Sequence, residues 1–300
     1  MPVAKPRRNE TALPILVYHK VDPRRELGVT ALSPHRFEKQ IRFLKSEGYT
    51  SISPQSLLIP IVNTMQEWEL GEMQKGKDEM HRPVDPPRHR PLAITFDDGY
   101  EGIYTYAYPI LKEYTFTAII FVTTGYIGRS NKWDKSPGPR FKHLDWAQIR
   151  EMADGGIQFG SHGVNHSFLT KQNDSVAKYE IEASKKVLED GLGQPVDFFS
   201  YPYGDYDERI ISFVRESGYK AAFSLRPELL KAEYINNANL VYALPRIAIY
   251  LLDDMWAFKA KIGCVRIDSL PCIQKAKNRL INKCAYASML IKRPGSGIRG

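Results

Sequence analysis

Cysteine is scarce in this 300-residue chain. Only Cys264, Cys272 and Cys284 occur, all near its end. They form no Cys-x-x-Cys pattern, and three thiols cannot all pair within one chain. No disulfide framework is expected, and the chain suits a reducing compartment. Long apolar runs are missing too. None approaches the roughly 20 residues that a membrane-spanning helix needs. The opening stretch, MPVAKPRRNETALP, has no apolar centre and is not a secretory signal. The expected location is therefore the cytoplasm. No internal repeat is evident. Histidine is limited to seven residues, and none follows His166.

Charge is present but uneven. The net charge is +8, and the 45 residues after Met255 carry ten Lys or Arg against one acid, Asp268. The first 255 residues are thus near neutral. This shift divides the chain into a basic leader (1–12), a body (13–255) and a basic tail (256–300). A polar, proline-rich stretch at 66–90 reads as a surface insertion. Leu270 to Ile291 can be drawn as a helix with Ile273, Leu280, Cys284 and Ile291 on one side and lysines on the other. Such a segment suits peripheral contact with an anionic membrane at its inner face. The plainer reading is a solvated basic helix packed on the body, or disorder past Arg293. Nucleic acid is not an expected partner, because the tail has few aromatics beyond Trp256, Phe258 and Tyr286.

The body alternates strand and helix patterns. Pro14–Tyr18 reads as a first strand. Ser33-Pro34 opens a helix, with Ser as the cap and Pro at the first helical position. Phe37, Ile41 and Leu44 share its apolar face, and Gly48 ends it. Further strands are expected at Tyr49–Ile52, Leu92–Phe96, Thr117–Val122, Gly156–Phe159, Val196–Ser200, Tyr219–Phe223 and Leu244–Tyr250. Helices are expected at Ile103–Tyr114, from Asp145 to about Ala153, from Asp174 to about Glu189, and at Tyr206–Ser217. This alternation predicts an α/β fold with a parallel sheet, and seven or eight strands favour closure into a (β/α) barrel.

Three stretches carry chemistry. In Thr95-Phe96-Asp97-Asp98-Gly99-Tyr100, two adjacent carboxylates stand at a strand's carboxyl end, where α/β folds place their sites. Adjacent carboxylates repel unless a cation lies nearby. A divalent metal on one leaves the other free as a base toward a water. The stretch is equally ordinary turn chemistry. In Ser161-His162-Gly163-Val164-Asn165-His166, two histidines stand at i and i+4. That spacing brings them to one face if the segment winds helically, and it suits two imidazoles on one metal. Phe198 to Asp205 is a strand end with a proline turn, where Tyr203 could wall a pocket and offer its backbone N–H to an oxyanion.

Together and in this order, TFDDGY, SHGVNH and YPYG resemble the polysaccharide deacetylases of carbohydrate esterase family four, over roughly Leu13 to Lys261. The resemblance implies a distorted (β/α) barrel of about seven strands with a basic C-terminal extension. It implies hydrolysis of an N-acetyl group from an amino-sugar-containing glycan. Asp97 would be the base. Asp98, His162 and His166 would hold a divalent metal, with zinc expected and cobalt, nickel or iron also compatible with such ligands. Tyr203 would supply the oxyanion donor, and Trp146 would wall the substrate groove.

Two positions depart from that family. Its arginine two residues before the motif-three proline is here Ser200. Its late Leu-x-His is replaced by Leu244-Pro245-Arg246. His19, in a Tyr-His stretch like that of the exopolysaccharide N-deacetylase branch, is the substitute acid or a substrate contact. Arg246 is the substitute for the missing arginine. Two other readings stay open: hydrolysis of a different non-peptide amide, and a silent glycan-binding barrel.

Overall fold

A computed structural model describes residues 12–24, 26, 28–52, 90–131 and 139–263. The leader, the bulk of the 66–90 insertion, the three cysteines and the tail from residue 264 lie outside the described residues. So does the stretch after Ser53-Pro54, where the helix-start signal repeats ahead of Leu57, Leu58, Ile61 and Val62.

Eight parallel strands form the main sheet: β1 (Ile15–Tyr18), β2 (Tyr49–Ser51), β3 (Arg90–Phe96), β4 (Ile119–Val122), β5 (Gln158–Ser161), β6 (Phe198–Ser200), β7 (Ala221–Phe223) and β8 (Ile247–Ala248). Seven of them run in the order β7-β6-β5-β4-β3-β1-β8, and β2 pairs with the first residues of β3. The sheet curls until its ends meet. Ile247 and Ala248 pair with Leu16 and Val17 of β1. Just before them, Leu244 bridges Phe223 of β7. One short segment therefore joins both edges, curling the described strands into a small distorted barrel.

The helices are α1 (Pro34–Ser46), α2 (Tyr108–Glu113), α3 (Trp146–Asp154), α4 (Asp174–Leu192), α5 (Glu208–Glu216) and α6 (Met255–Lys261). Ser33 caps α1 as expected, its side chain accepting from the Arg36 N–H. Phe37, Ile41 and Leu44 are fully buried, each stabilising the fold by roughly 1.5–3 kcal/mol. Asp145 caps α3 in a reciprocal capping box with Gln148. The helix expected from Ile103 begins as a π-turn, Ile103–Ala107, before α2 takes over. Packing continues beyond the composition boundary at Met255, because Phe258 and Ile262 belong to the core.

Strand periodicity splits the core in two. Leu16, Tyr18, Ile94, Phe96 and Ile120 face the helices. Ile15, Ala93, Ile119, Phe121, Phe198, Phe223 and Leu244 fill the barrel. Side chains alternate faces along a strand. Positions two residues past an interior one, at each strand's carboxyl end, therefore point into the barrel mouth. By this count Thr95, Asp97, His162, Ser200 and Arg246 share the interior face. Gly160 is small for the same reason: a Cβ there would lie 2.5 Å from the Phe121 ring.

Candidate active site

The mouth of the barrel is built on one ion pair. Arg246 donates from Nη1 to Asp97 Oδ1 at 2.7 Å and from Nη2 to Oδ2 at 2.8 Å. Nη2 also donates to Ser200 Oγ at 2.7 Å, Nη1 to Thr95 Oγ1 at 3.2 Å, and Nε to the Ser224 carbonyl at 3.0 Å. The guanidinium lies between the Phe121 and Phe223 rings. Arg246 is wholly buried, and a buried charge persists only with its partners satisfied in this way. Burial alone would raise the Asp97 carboxyl. Arg246 and His162 outweigh it and hold the group below the usual carboxylate range.

Beside this pair, Asp98 turns toward the two histidines. Asp98 and Gly99 both take positive φ (72° and 75°), which redirects the chain between one carboxylate and the next. Asp98 Oδ1 lies 3.0 Å from His166 Nε2 and 3.5 Å from His162 Nε2. One ligand atom from each of the three residues falls within 4.8 Å of the others. His162 Nδ1 lies 2.7 Å from the Ser200 carbonyl, to which it donates. That bond leaves the lone pair on Nε2, facing Asp98, as metal-binding imidazoles require. Burial pushes His162 down to about 4, keeping the ring neutral. Burial pushes Asp98 up, but His166, His19 and His162 outweigh it and hold the carboxylate well below its usual range. The donor set, two imidazoles and one ionised carboxylate, fits a divalent cation of the zinc class and leaves coordination positions for further ligands.

The helical reading of SHGVNH is corrected here. Residues 162–168 form an irregular loop, with positive φ at Gly163 (78°) and His166 (57°). The imidazoles converge because this loop folds back, not because they share a helix face.

The other expected residues fall at different distances from this centre. Tyr203 has φ 61°, packs edge-on against His166 with ring centres 4.4 Å apart, and stacks on Phe168 at 3.8 Å. His19, at the exit of β1, is partly exposed. Burial lowers its imidazole from the ordinary value, against the pull of Asp98 and Asp97. Trp146 packs against Gly191 of α4, and the Arg150 guanidinium covers its ring. Its described contacts are between helices.

The profile of the polysaccharide deacetylase family matches residues 85–222. A poly-β-1,6-N-acetyl-D-glucosamine N-deacetylase of Staphylococcus aureus (strain MRSA252) is 30% identical over 237 residues, covering 75% of this chain and 70% of its own. This chain belongs to the polysaccharide deacetylase family. It is a hydrolase acting on carbon–nitrogen bonds other than peptide bonds. YxkH of Bacillus subtilis is 27% identical over 237 residues, 79% of this chain and 71% of its own. In fold, the chain is similar to the Streptococcus pyogenes deacetylase PplD. The TM-score is 0.65 at 24% identity, over 85% of this chain and 99% of that one.

Two buried ionisable residues beside the site escaped the sequence reading. His143 is fully buried, stacked on Tyr100 with ring centres 4.7 Å apart, and burial pushes it down to about 4. Glu180 is 1% exposed behind the histidine loop. Its signal was a charge on the apolar face of α4, in register with Ala177, Ile181, Ser184 and Leu188. Among the described residues, no helix is long and apolar enough to cross a membrane.

Proposed function

We propose that this chain removes N-acetyl groups from an amino-sugar-containing glycan, using a divalent metal, with zinc favoured, held by Asp98, His162 and His166. A hexosamine polymer like the one in the S. aureus relative's name is the substrate class we favour. The observation that carries the reading is the adjacency of the buried Asp98–His162–His166 group to an ionised, arginine-gripped Asp97. A bound cation would supply Lewis acidity and make water a nucleophile near neutral pH.

The chain's own residues do the rest. Asp97 is the base and accepts a proton from the attacking water at a carboxylate oxygen. Arg246 and Ser200 fix the plane of that carboxylate. The Tyr203 backbone N–H is the donor to the developing oxyanion. His19, at the same end of the barrel, is the acid for the departing amine nitrogen or a contact to the sugar. The wall of the groove is Tyr203 on Phe168. Trp146, with its ring occupied by α4, is left to packing.

The test is metal content and acetate release, wild type beside His162→Ala. About one divalent ion per wild-type chain, none in the variant, and acetate released from an N-acetylglucosamine oligomer support the reading. Metal without acetate from any acetylated glycan moves the substrate to another amide. Neither metal nor acetate, even after zinc loading, overturns the hydrolase mechanism.

A further inference from the structure

The loop that bears both histidines is clasped from two sides. On one side stands the buried Glu180 of α4. Its Oε2 accepts the backbone N–H of Val164 and of Asn165, each at 2.8 Å. Its Oε1 accepts Asn165 Nδ2 at 2.8 Å and Ser167 Oγ at 3.1 Å. All four donors belong to the stretch between or just after the histidines. On the other side, the N–H groups of Thr124 and Gly125 donate to the carbonyls of Gly163 and Val164 at 3.0 and 2.9 Å. Gly125 is small because a Cβ there would lie 2.6 Å from the Val164 carbonyl oxygen.

A carboxylate is a costly way to fill this place. Its helical neighbours on the same face are mainly apolar, and no ion pair to Glu180 occurs among the described residues. Burial of such a charge is sustained only by the donors it gathers. Those donors flank a left-handed His166, a conformation that surrounding structure must impose. A merely space-filling residue would need none of this.

We propose that Glu180 is a positioning residue of the metal centre, setting the separation of His162 and His166 by holding the 163–167 loop. The proposal rests on the metallohydrolase reading above. Glu180→Gln replaces one acceptor oxygen by an NH2 group facing N–H donors, so at least one tooth of the clasp is lost. Glu180→Asp keeps both acceptors on a shorter stem.

The experiment measures zinc affinity by chelator competition, the visible spectrum after cobalt loading, and the unfolding temperature of the metal-free proteins. Glu180→Gln is expected to bind zinc about 10- to 100-fold more weakly, as groups behind metal ligands commonly do, with an altered cobalt spectrum. Glu180→Asp should recover part of that loss. Wild-type affinity and spectrum in Glu180→Gln overturn the proposal. If Glu180→Gln does not fold, the pair Asn165→Ala with Ser167→Ala removes the two side-chain donors. Unchanged zinc affinity in that variant overturns it equally. A wild type that binds no metal fails the metallohydrolase reading itself, which separates the two.

Discussion

Arg246 grips Asp97 through both guanidinium nitrogens across 149 residues of sequence. Ser200 stands where the family often has an arginine. Its hydroxyl accepts from Arg246 and lies 3.3 Å from each Asp97 oxygen. Here the cation comes from Arg246, just before β8, and the small Ser200 side chain leaves it the space.

Arg246→Gln should therefore change pH dependence as well as stability. Arg246 lowers the Asp97 carboxyl, whereas burial raises it. Without Arg246, burial is opposed only by the weaker pull of His162 and His19, and the carboxyl rises. The base is then protonated at higher pH, so the acid limb of kcat/KM moves upward. Removing one partner of a buried pair should also cost roughly 3–5 kcal/mol in urea unfolding. An unmoved acid limb would detach Asp97 from that limb.

Asp97→Asn should separate metal binding from turnover. General-base catalysis contributes about 10²–10⁴-fold, and kcat should fall by that order. Zinc content should stay at the wild-type level, because Asp98 and both histidines are untouched. Retained turnover would remove Asp97 from the base role.

His19→Gln tests the acid. An acid must carry its proton, and burial lowers His19 below its ordinary 6.5. Wild-type kcat/KM should therefore decline on the alkaline side from below about pH 6.5. The variant should lose that limb along with most of its rate. Equal rates and profiles would leave His19 outside proton transfer.

His143→Phe should flatten the dependence of stability on pH. The folded state holds this imidazole down to about 4, whereas an unfolded histidine titrates near 6.5. Between those values the unfolded chain binds the extra proton, so folding stability falls as pH falls through the window. The full effect is of order 3 kcal/mol at 1.36 kcal/mol per pH unit. Urea midpoints of wild type and variant from pH 4 to 7 should converge toward the acid end. A constant difference would contradict a buried neutral His143.

Much of this protein was legible along the chain. Short-range physics set the Ser33 and Asp145 caps, the apolar face of α1 and the strand alternation, so the α/β barrel could be read from local patterns. The adjacent carboxylates and paired histidines were compatible with a metal site by residue type, and the family resemblance turned that into an expectation. Folding decided what lies between distant segments. Arg246 meets Asp97 only because Leu244 to Ala248 joins β7 to β1 and carries the guanidinium into the barrel. The histidines converge through a loop with left-handed turns, which spacing alone misassigns to a helix. Glu180 reads as a flaw in an amphipathic helix until the loop it clasps is in place. Periodicity records which face a residue takes. What waits on that face is supplied by tertiary contacts, where hydrogen bonds and charge pairing in a buried site override local preference.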